Sequence, residues 1–378
     1  MKQKTIPVAV PDIGELERRY ALEAVESGWV SSLGAFIEKF ETGFAEFCET
    51  RHAVAVANGT TAIEVTLAAF GVGRGDEVIL PDLTFAAVAA AITHLGAIPV
   101  LVDVEPGSWC VDPRAVERAL SPRTRAVVPV HSYGHPADLD PILEACRKRG
   151  IRVLEDAAEA HGARYRGRRV GSIGDAGSFS FYGNKIITTG EGGAVVTQDD
   201  DLAARVRVLK DHAMDPNRRY FHLEAGYNFR MTNVQAAIGC AQLERVGEFL
   251  ERRAEILDGY RELLAGAPLR LNPHEDGAEP VNWTVCAVLE PSVAEHRDAI
   301  LAEMRTRGVD TRPFFVRLSE MPPYRDAPRV GADGDDTPVA RDLSLAGFNL
   351  PTSTLLERED IVRVADAFRA ALTAQTGG

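Results

Sequence analysis

The chain has 378 residues, 45% hydrophobic and 26% charged, a globular usage that excludes wholesale disorder and a fibrous repeat. At roughly 100–200 residues per domain, two domains are expected. Lys plus Arg number 42 against 55 Asp plus Glu, a formal net charge of -13, which excludes sequence-independent binding to a nucleic-acid backbone and still allows one basic site for an anionic small molecule.

Five cysteines lie far apart, at 48, 110, 146, 240 and 286, with no CxxC pair. A zinc ribbon or disulfide scaffold is therefore excluded, and a reducing cytoplasm fits. The opening stretch MKQKTIPVAVPDIGELERRY has no apolar core of signal-peptide length. No run of about 18 apolar residues occurs, so no membrane partner is expected.

Taken in chain order, short apolar runs alternate with helix-like segments. HAVAVA (52–57) reads as a buried strand, followed by a helix opening at Asn58-Gly59-Thr60-Thr61. EVILP (77–81), a helix from Thr84 to His94, IPVLVDV (98–104), RAVVPVHS (125–132), a helix around 139–149 and IRVLEDAA (151–158) continue the series. This alternation predicts a mostly parallel sheet covered on both faces. GSFSF and GGAVVTQ break it and read as an antiparallel pair around a glycine-rich turn. From Thr232, apolar residues keep helical spacing for over thirty positions, with a break expected near Gly247. VNWTVCAVLE, a helix, VDTRP, the polar loop RVGADGDDTPVA and a closing helix from Arg358 then form a smaller α/β unit. The expected domains are residues 1–250, with an N-terminal arm, and 251–378.

The stretch GSFSFYGNKIITTGEGG places Lys185 just after a strand, in a segment too polar and glycine-rich for plain core. Lysine amines form Schiff bases with carbonyl cofactors such as pyridoxal phosphate. The Asn58-Gly59-Thr60-Thr61 turn offers N–H groups and hydroxyls at a helix N-terminus, a site for a phosphate, although an ordinary N-cap has the same residues. Asp156 ends a strand at the carboxyl edge of the sheet, where α/β ligands bind, and there can pair with a pyridinium nitrogen. Phe85 stands where it can stack on a flat ring or join the core. Gly71-Val72-Gly73-Arg74-Gly75 follows a helix rather than a strand, the wrong context for a dinucleotide fingerprint. His131, His135 and His161 lack metal-ligand spacing, so no metal is expected.

These motifs, in this order, resemble the DegT-type sugar aminotransferases that depend on pyridoxal phosphate, a branch of the fold-type I aspartate aminotransferase superfamily. The likeness runs nearly end to end, through VANGTTAI, GDEVILPDLTFAA, VHSYGHPADLD, EDAAEAHGA, FSFYGNKIITTGEGG, YNFRMTNVQAAIGCAQLERV, RPFF and NLPT. It implies a large domain with a seven-stranded-type, mostly parallel sheet between helices and a smaller C-terminal α/β domain. It also implies Lys185 as the Schiff-base lysine and proton carrier, Asp156 beside the pyridine nitrogen, and Glu159 near the ring hydroxyl, where many relatives have glutamine. Gly59, Thr60 and Ser180 match phosphate ligands, and Phe85 the stacking aromatic. Asn228 matches a residue that reaches the cofactor phosphate of a neighbouring subunit, which implies a homodimer with shared sites. The loop around Trp29 and the segment after Arg312 resemble nucleotide-sugar contacts.

The implied reaction moves an amino group from L-glutamate, through the pyridoxamine form of the cofactor, to C4 of a nucleotide-linked 4-keto-6-deoxyhexose. In the C4-aminating branch the segment commonly reads RPFFYPxHxxP; here it reads RPFFVRLSEMP. Val316 and Ser319 replace a tyrosine and a histidine, which leaves the nucleotide and the sugar open; Arg317 is a diphosphate contact or a solvated arginine. The alternatives are amination of a 3-keto sugar or cyclitol ketone and, less in keeping with an intact Lys185, a sugar 3-dehydratase or a non-catalytic regulator.

Overall fold

The computed structural model describes residues 5–377; the first four residues of the N-terminal arm and the last glycine of the tail lie outside it. Two helices come first, α1 (Glu15–Glu26) and α2 (Ala35–Cys48). Then follow β1 (His52–Val56), α3 (Gly59–Ala69), β2 (Glu77–Pro81), α4 (Ala87–His94), β3 (Ile98–Val102) and β4 (Thr124–Val127). The series continues with α5 (Leu139–Arg147), β5 (Arg152–Asp156), β6 (Ala176–Ser180), β7 (Gly193–Thr197) and α6 (Asp200–Lys210). Strands β6, β5, β4, β2 and β3 lie side by side and parallel, whereas β7 is antiparallel to both β6 and β1. The GSFSF and GGAVVTQ runs thus form the antiparallel pair expected of them.

Alternate residues of one strand feed two cores. In β1, Ala53 and Ala55 pack on one side with Phe40, Phe44 and Phe179, and Val54 and Val56 on the other with Ile63, Val65 and Leu80. A strand buried on both faces has no polar alternation, which is why these segments read as continuous apolar runs.

The second half holds α7 (Asn233–Glu244), α8 (Val246–Leu263), β8 (Leu269–Leu271), β9 (Val285–Leu289), α9 (Arg297–Thr306), β10 (Arg312–Pro313), β11 (Arg329–Val330), β12 (Gly347–Leu350) and α10 (Arg358–Thr376). A second sheet runs β8-β9-β12-β10, all antiparallel, over a core that includes Tyr260, Ile300, Phe348 and Phe368. The long helix breaks at Arg245 (φ -103°, ψ 0°), close to Gly247 as expected. Its guanidinium binds Asp12 and Glu17, both at 3.0 Å, so the break coincides with the point where the N-terminal arm is tied down.

One expectation changes. The RVGADGDDTPVA stretch is not all loop: Arg329–Val330 adds an eighth strand to the large sheet, and a helix begins at Pro338. The outer edge of β3 explains the strand, since Leu101 N–H donates to Pro328 O at 2.8 Å and Asp103 N–H to Val330 O at 3.1 Å. An unpaired edge recruits whatever extended chain passes it.

Candidate active site

The carboxyl ends of β1, β5 and β6 and the segment after β2 open into one cavity of about 430 Å³, closed from the other side by residues of the second sheet. Gly59, Thr60, Phe85, Asp156, Glu159, Ser180, Lys185 and Arg312 all line it, so eight of the sequence-derived residues converge from distant parts of the chain.

Lys185 sits on the turn after β6, its N–H bonded to Tyr182 O at 2.9 Å. Its side chain is 12% exposed and its Nζ lies 3.4 Å from Glu159 Oε1. The indole of Trp283 covers the ammonium, with Nζ 3.9 Å from the ring centroid, an attraction between a cation and the negative face of the ring. Glu159 Oε2 accepts the Tyr133 N–H at 2.8 Å. Burial pushes the Glu159 carboxyl above its ordinary range, and the Lys185 charge opposes this. Burial also raises Asp156, against the Ala158 N–H and the Lys185 charge. Ala158 donates to Asp156 Oδ1 at 3.0 Å, leaving Oδ2 without a protein donor among the described residues. One amine therefore pairs with one buried carboxylate and lies within electrostatic reach of a second, a setting in which small changes of charge move protons.

The phosphate-type turn is built by close approach. Asn58 caps α3, its side chain accepting the Thr61 N–H at 2.9 Å, and the Ala62 N–H goes to Asn58 O. The first N–H groups of a helix have no acceptor within it, and here they belong to Gly59 and Thr60 on the cavity wall. A Cβ on Gly59 would stand 2.7 Å from Ser180 Cβ, so only glycine lets the helix start and the Ser180 hydroxyl share one small anion cradle. This cradle, the donor-free Asp156 oxygen and Lys185 fit a phosphorylated aldehyde with a basic ring nitrogen, which is pyridoxal phosphate.

At the mouth, Phe85 is 61% exposed and its ring lies 6.0 Å from that of Phe315. Arg312 is exposed and carries no ion pair among the described residues, so its charge is available to an anion.

Four predicted residues lie outside the cavity lining. Asn228 is exposed and accepts from Arg230 at 2.8 Å. Trp29 is exposed, its carbonyl receiving the Asn233 amide at 2.7 Å. Arg317 is buried and bonded to Glu320 at 2.8 Å and Thr337 at 3.2 Å. Ser319 is spent on Asp82, through its N–H at 2.8 Å and its Oγ at 2.7 Å. Sequence reasoning missed Trp283, Phe315 and Asn349, all in the lining. The polar flanks of Asn282-Trp283-Thr284, before an apolar strand, were the available signal for the first.

Among known proteins, the profile of the DegT/DnrJ/EryC1/StrS aminotransferase family matches residues 11–369. The chain is 46% identical over 364 residues to GDP-perosamine synthase of Caulobacter vibrioides, covering 96% of this chain and 97% of that one. It is 40% identical to dTDP-3-amino-3,4,6-trideoxy-alpha-D-glucose transaminase of Streptomyces venezuelae, over 89% of this chain and 87% of that one. The solved sugar aminotransferase Spr1654 of Streptococcus pneumoniae, described as putative and known in PLP and PMP forms, superimposes with a TM-score of 0.91 at 27% identity, the PLP form covering 98% of this chain and 99% of that one. Its fold is that of the fold-type I aminotransferases. From residues 11 to 369 this chain belongs to the DegT/DnrJ/EryC1/StrS family, and it is a pyridoxal-phosphate-dependent aminotransferase.

Proposed function

We propose that the ketone this enzyme aminates is C4 of a nucleotide-linked 4-keto-6-deoxyhexose, GDP-linked in its preferred form, with L-glutamate as amino donor. The observation that carries the reading is the Lys185 amine paired with the buried Glu159 carboxylate in a cavity that Asp156 also lines, together with Arg312, which has no ion pair among the described residues. Likeness to GDP-perosamine synthase at 46% identity supports the sugar and the nucleotide.

Bound in the cradle, pyridoxal phosphate supplies an aldehyde that carries the amino group and a ring that accepts an electron pair when a C–H bond breaks. Gly59, Thr60 and Ser180 would hold its phosphate, Phe85 one ring face, and Asp156 Oδ2 the proton on the ring nitrogen. Lys185 Nζ, when free as an amine, takes the proton from the donor carbon and later delivers one to the sugar carbon that receives the nitrogen. Glu159 orients that Nζ, and Trp283 shields it from water. Arg312 draws in the carboxylate or the diphosphate.

Lys185 and Arg312 are the lining cations, set against Asp156, Glu159 and Glu191. That balance is too acidic for a cofactor phosphate plus a nucleotide diphosphate. A second copy of the chain, bringing the Asn228 amide and the nearby Arg230, would add donors for an anion, so the working unit in this reading is a homodimer. Exposed apolar side chains at Leu22, Val25, Trp29 and Leu33 offer a surface for that contact. In the same reading residues 1–250 form the cofactor domain, 251–378 the smaller one, and the setting is the cytoplasm, with all five cysteines unpaired.

The test is a panel of GDP- and dTDP-linked 4-keto and 3-keto 6-deoxyhexoses with glutamate, scored for amino sugar. Turnover of the GDP-linked 4-keto sugar is expected, and Lys185→Ala should lower it by about 10⁴-fold or more while cofactor still binds. Success with a 3-keto sugar alone would overturn the regiochemistry.

A further inference from the structure

Tyr133 does not line the cavity, yet it touches three residues that do. Its N–H holds Glu159 Oε2 at 2.8 Å. Its ring is stacked over Trp283, centroids 6.3 Å apart and planes at 14°, and over Phe315 at 5.3 Å and 11°. Its phenol oxygen accepts the Phe315 N–H at 3.2 Å.

The backbone is forced into this place. Tyr133 has φ 55° and ψ 20°, a left-handed conformation that a bulky side chain adopts only when its surroundings fix it. The next residue shows how tightly they do: a Cβ on Gly134 would meet Val281 O at 1.9 Å, and Val281 N–H donates to Gly134 O at 3.0 Å. The turn is thereby pinned to the chain that leads into Trp283.

The segment that Tyr133 reaches is an arch. Before it, Arg312 and Pro313 pair with β12, and Phe314 N–H bonds to Gly347 O at 3.0 Å. After it, Leu318 and Ser319 are fixed to Asp82. Between these anchors Phe315 is held by two hydrogen bonds, its carbonyl receiving the Ser344 hydroxyl at 2.8 Å and its N–H reaching Tyr133 Oη. The second ties Phe315 to the turn that follows β4. Burial pushes the phenol well above its ordinary range, so Oη stays an uncharged acceptor.

We propose that Tyr133 is a positioning residue for the nucleotide sugar, its phenol oxygen holding the Arg312–Phe315 arch at the distance from Lys185 that the sugar needs. This rests on the sugar-aminotransferase reading above. The backbone N–H serves the cofactor side and the phenol serves the substrate side, so one substitution separates them. Tyr133→Phe keeps the N–H and every ring stack and removes only the acceptor.

In the holoenzyme, Tyr133→Phe is expected to raise KM for the keto sugar by about three- to tenfold, the effect of one neutral hydrogen bond. kcat, the half-reaction with glutamate, and the affinity of the apoprotein for pyridoxal phosphate, read by fluorescence titration, should stay within about twofold of wild type. An unchanged sugar KM overturns the proposal. So does a parallel loss of cofactor affinity or of the glutamate half-reaction, which would mark a merely structural tyrosine. Tyr133→Leu, which also removes the stacks on Trp283 and Phe315, should weaken cofactor affinity as well. Failure of the underlying reading looks different, because wild-type enzyme would then aminate none of the keto sugars.

Discussion

Glu159 is a buried carboxylate, and its exchange for glutamine has a measurable consequence. In the folded apoprotein its carboxyl is raised above the ordinary 4.5 by burial, so the native state keeps this proton to higher pH than the unfolded chain does. Stability tied to the group is full at low pH and declines as pH climbs from 4.5 through the raised value. Glu159→Gln removes the decline while preserving an acceptor for the Tyr133 N–H. The unfolding free energy of Glu159→Gln minus that of wild type, from denaturant titrations, should therefore rise with pH above 4.5 and then level off, at a slope of up to about 1.4 kcal/mol per pH unit. A difference that falls with pH would mean that the Lys185 pair outweighs the burial.

Helix α3 shows how a cofactor cradle depends on one missing methyl. Gly59→Ala places a Cβ 2.7 Å from Ser180 Cβ, below contact distance, and the helix start must lift away from β6. Because α3 packs on the sheet through Ile63, Val65 and Leu67, the fold should survive while pyridoxal phosphate affinity drops roughly 10- to 100-fold, measured by titrating the apoprotein. The strand-helix series was legible from the sequence because its strands are apolar on both faces and its helices open at turn residues. Asp156, Lys185 and the Gly59-Thr60 turn were legible too, since each follows a strand at the edge where ligands bind. Strand Arg329–Val330 was not, because two residues between a proline and a glycine carry no periodicity and only the β3 edge defines them. Trp283 was hidden for a similar reason: it approaches Lys185 through tertiary packing alone. Arg317 and Ser319 read as substrate contacts by position, and the buried carboxylate of Asp82, far away in sequence, is what engages Ser319.

For the molecule as a whole, the charge of -13 is compatible with the proposed anion site because the groups assigned to it are local: two amides, one hydroxyl and Arg312. If the partner subunit completes each site, two inactive variants should rescue one another. Co-refolding Lys185→Ala with Asn228→Asp gives mixed dimers in which one site has both native residues and the other has neither. Random pairing then predicts about a quarter of wild-type activity. No recovery above the separate variants would place Asn228 and Lys185 in the site of one and the same subunit and overturn the shared site.

Strand β11 ties residues 329–330 to the edge of β3, so the large sheet is completed by chain that emerges late in synthesis. Until then Leu101 and Asp103 present unpaired amides. A nascent or truncated chain ending at residue 328 would carry an open, parallel-type edge beside an apolar β3, which is a template for aggregation. The short strand thus acts as a closing seal, and it makes the protection of the β3 edge wait on nearly the entire polypeptide.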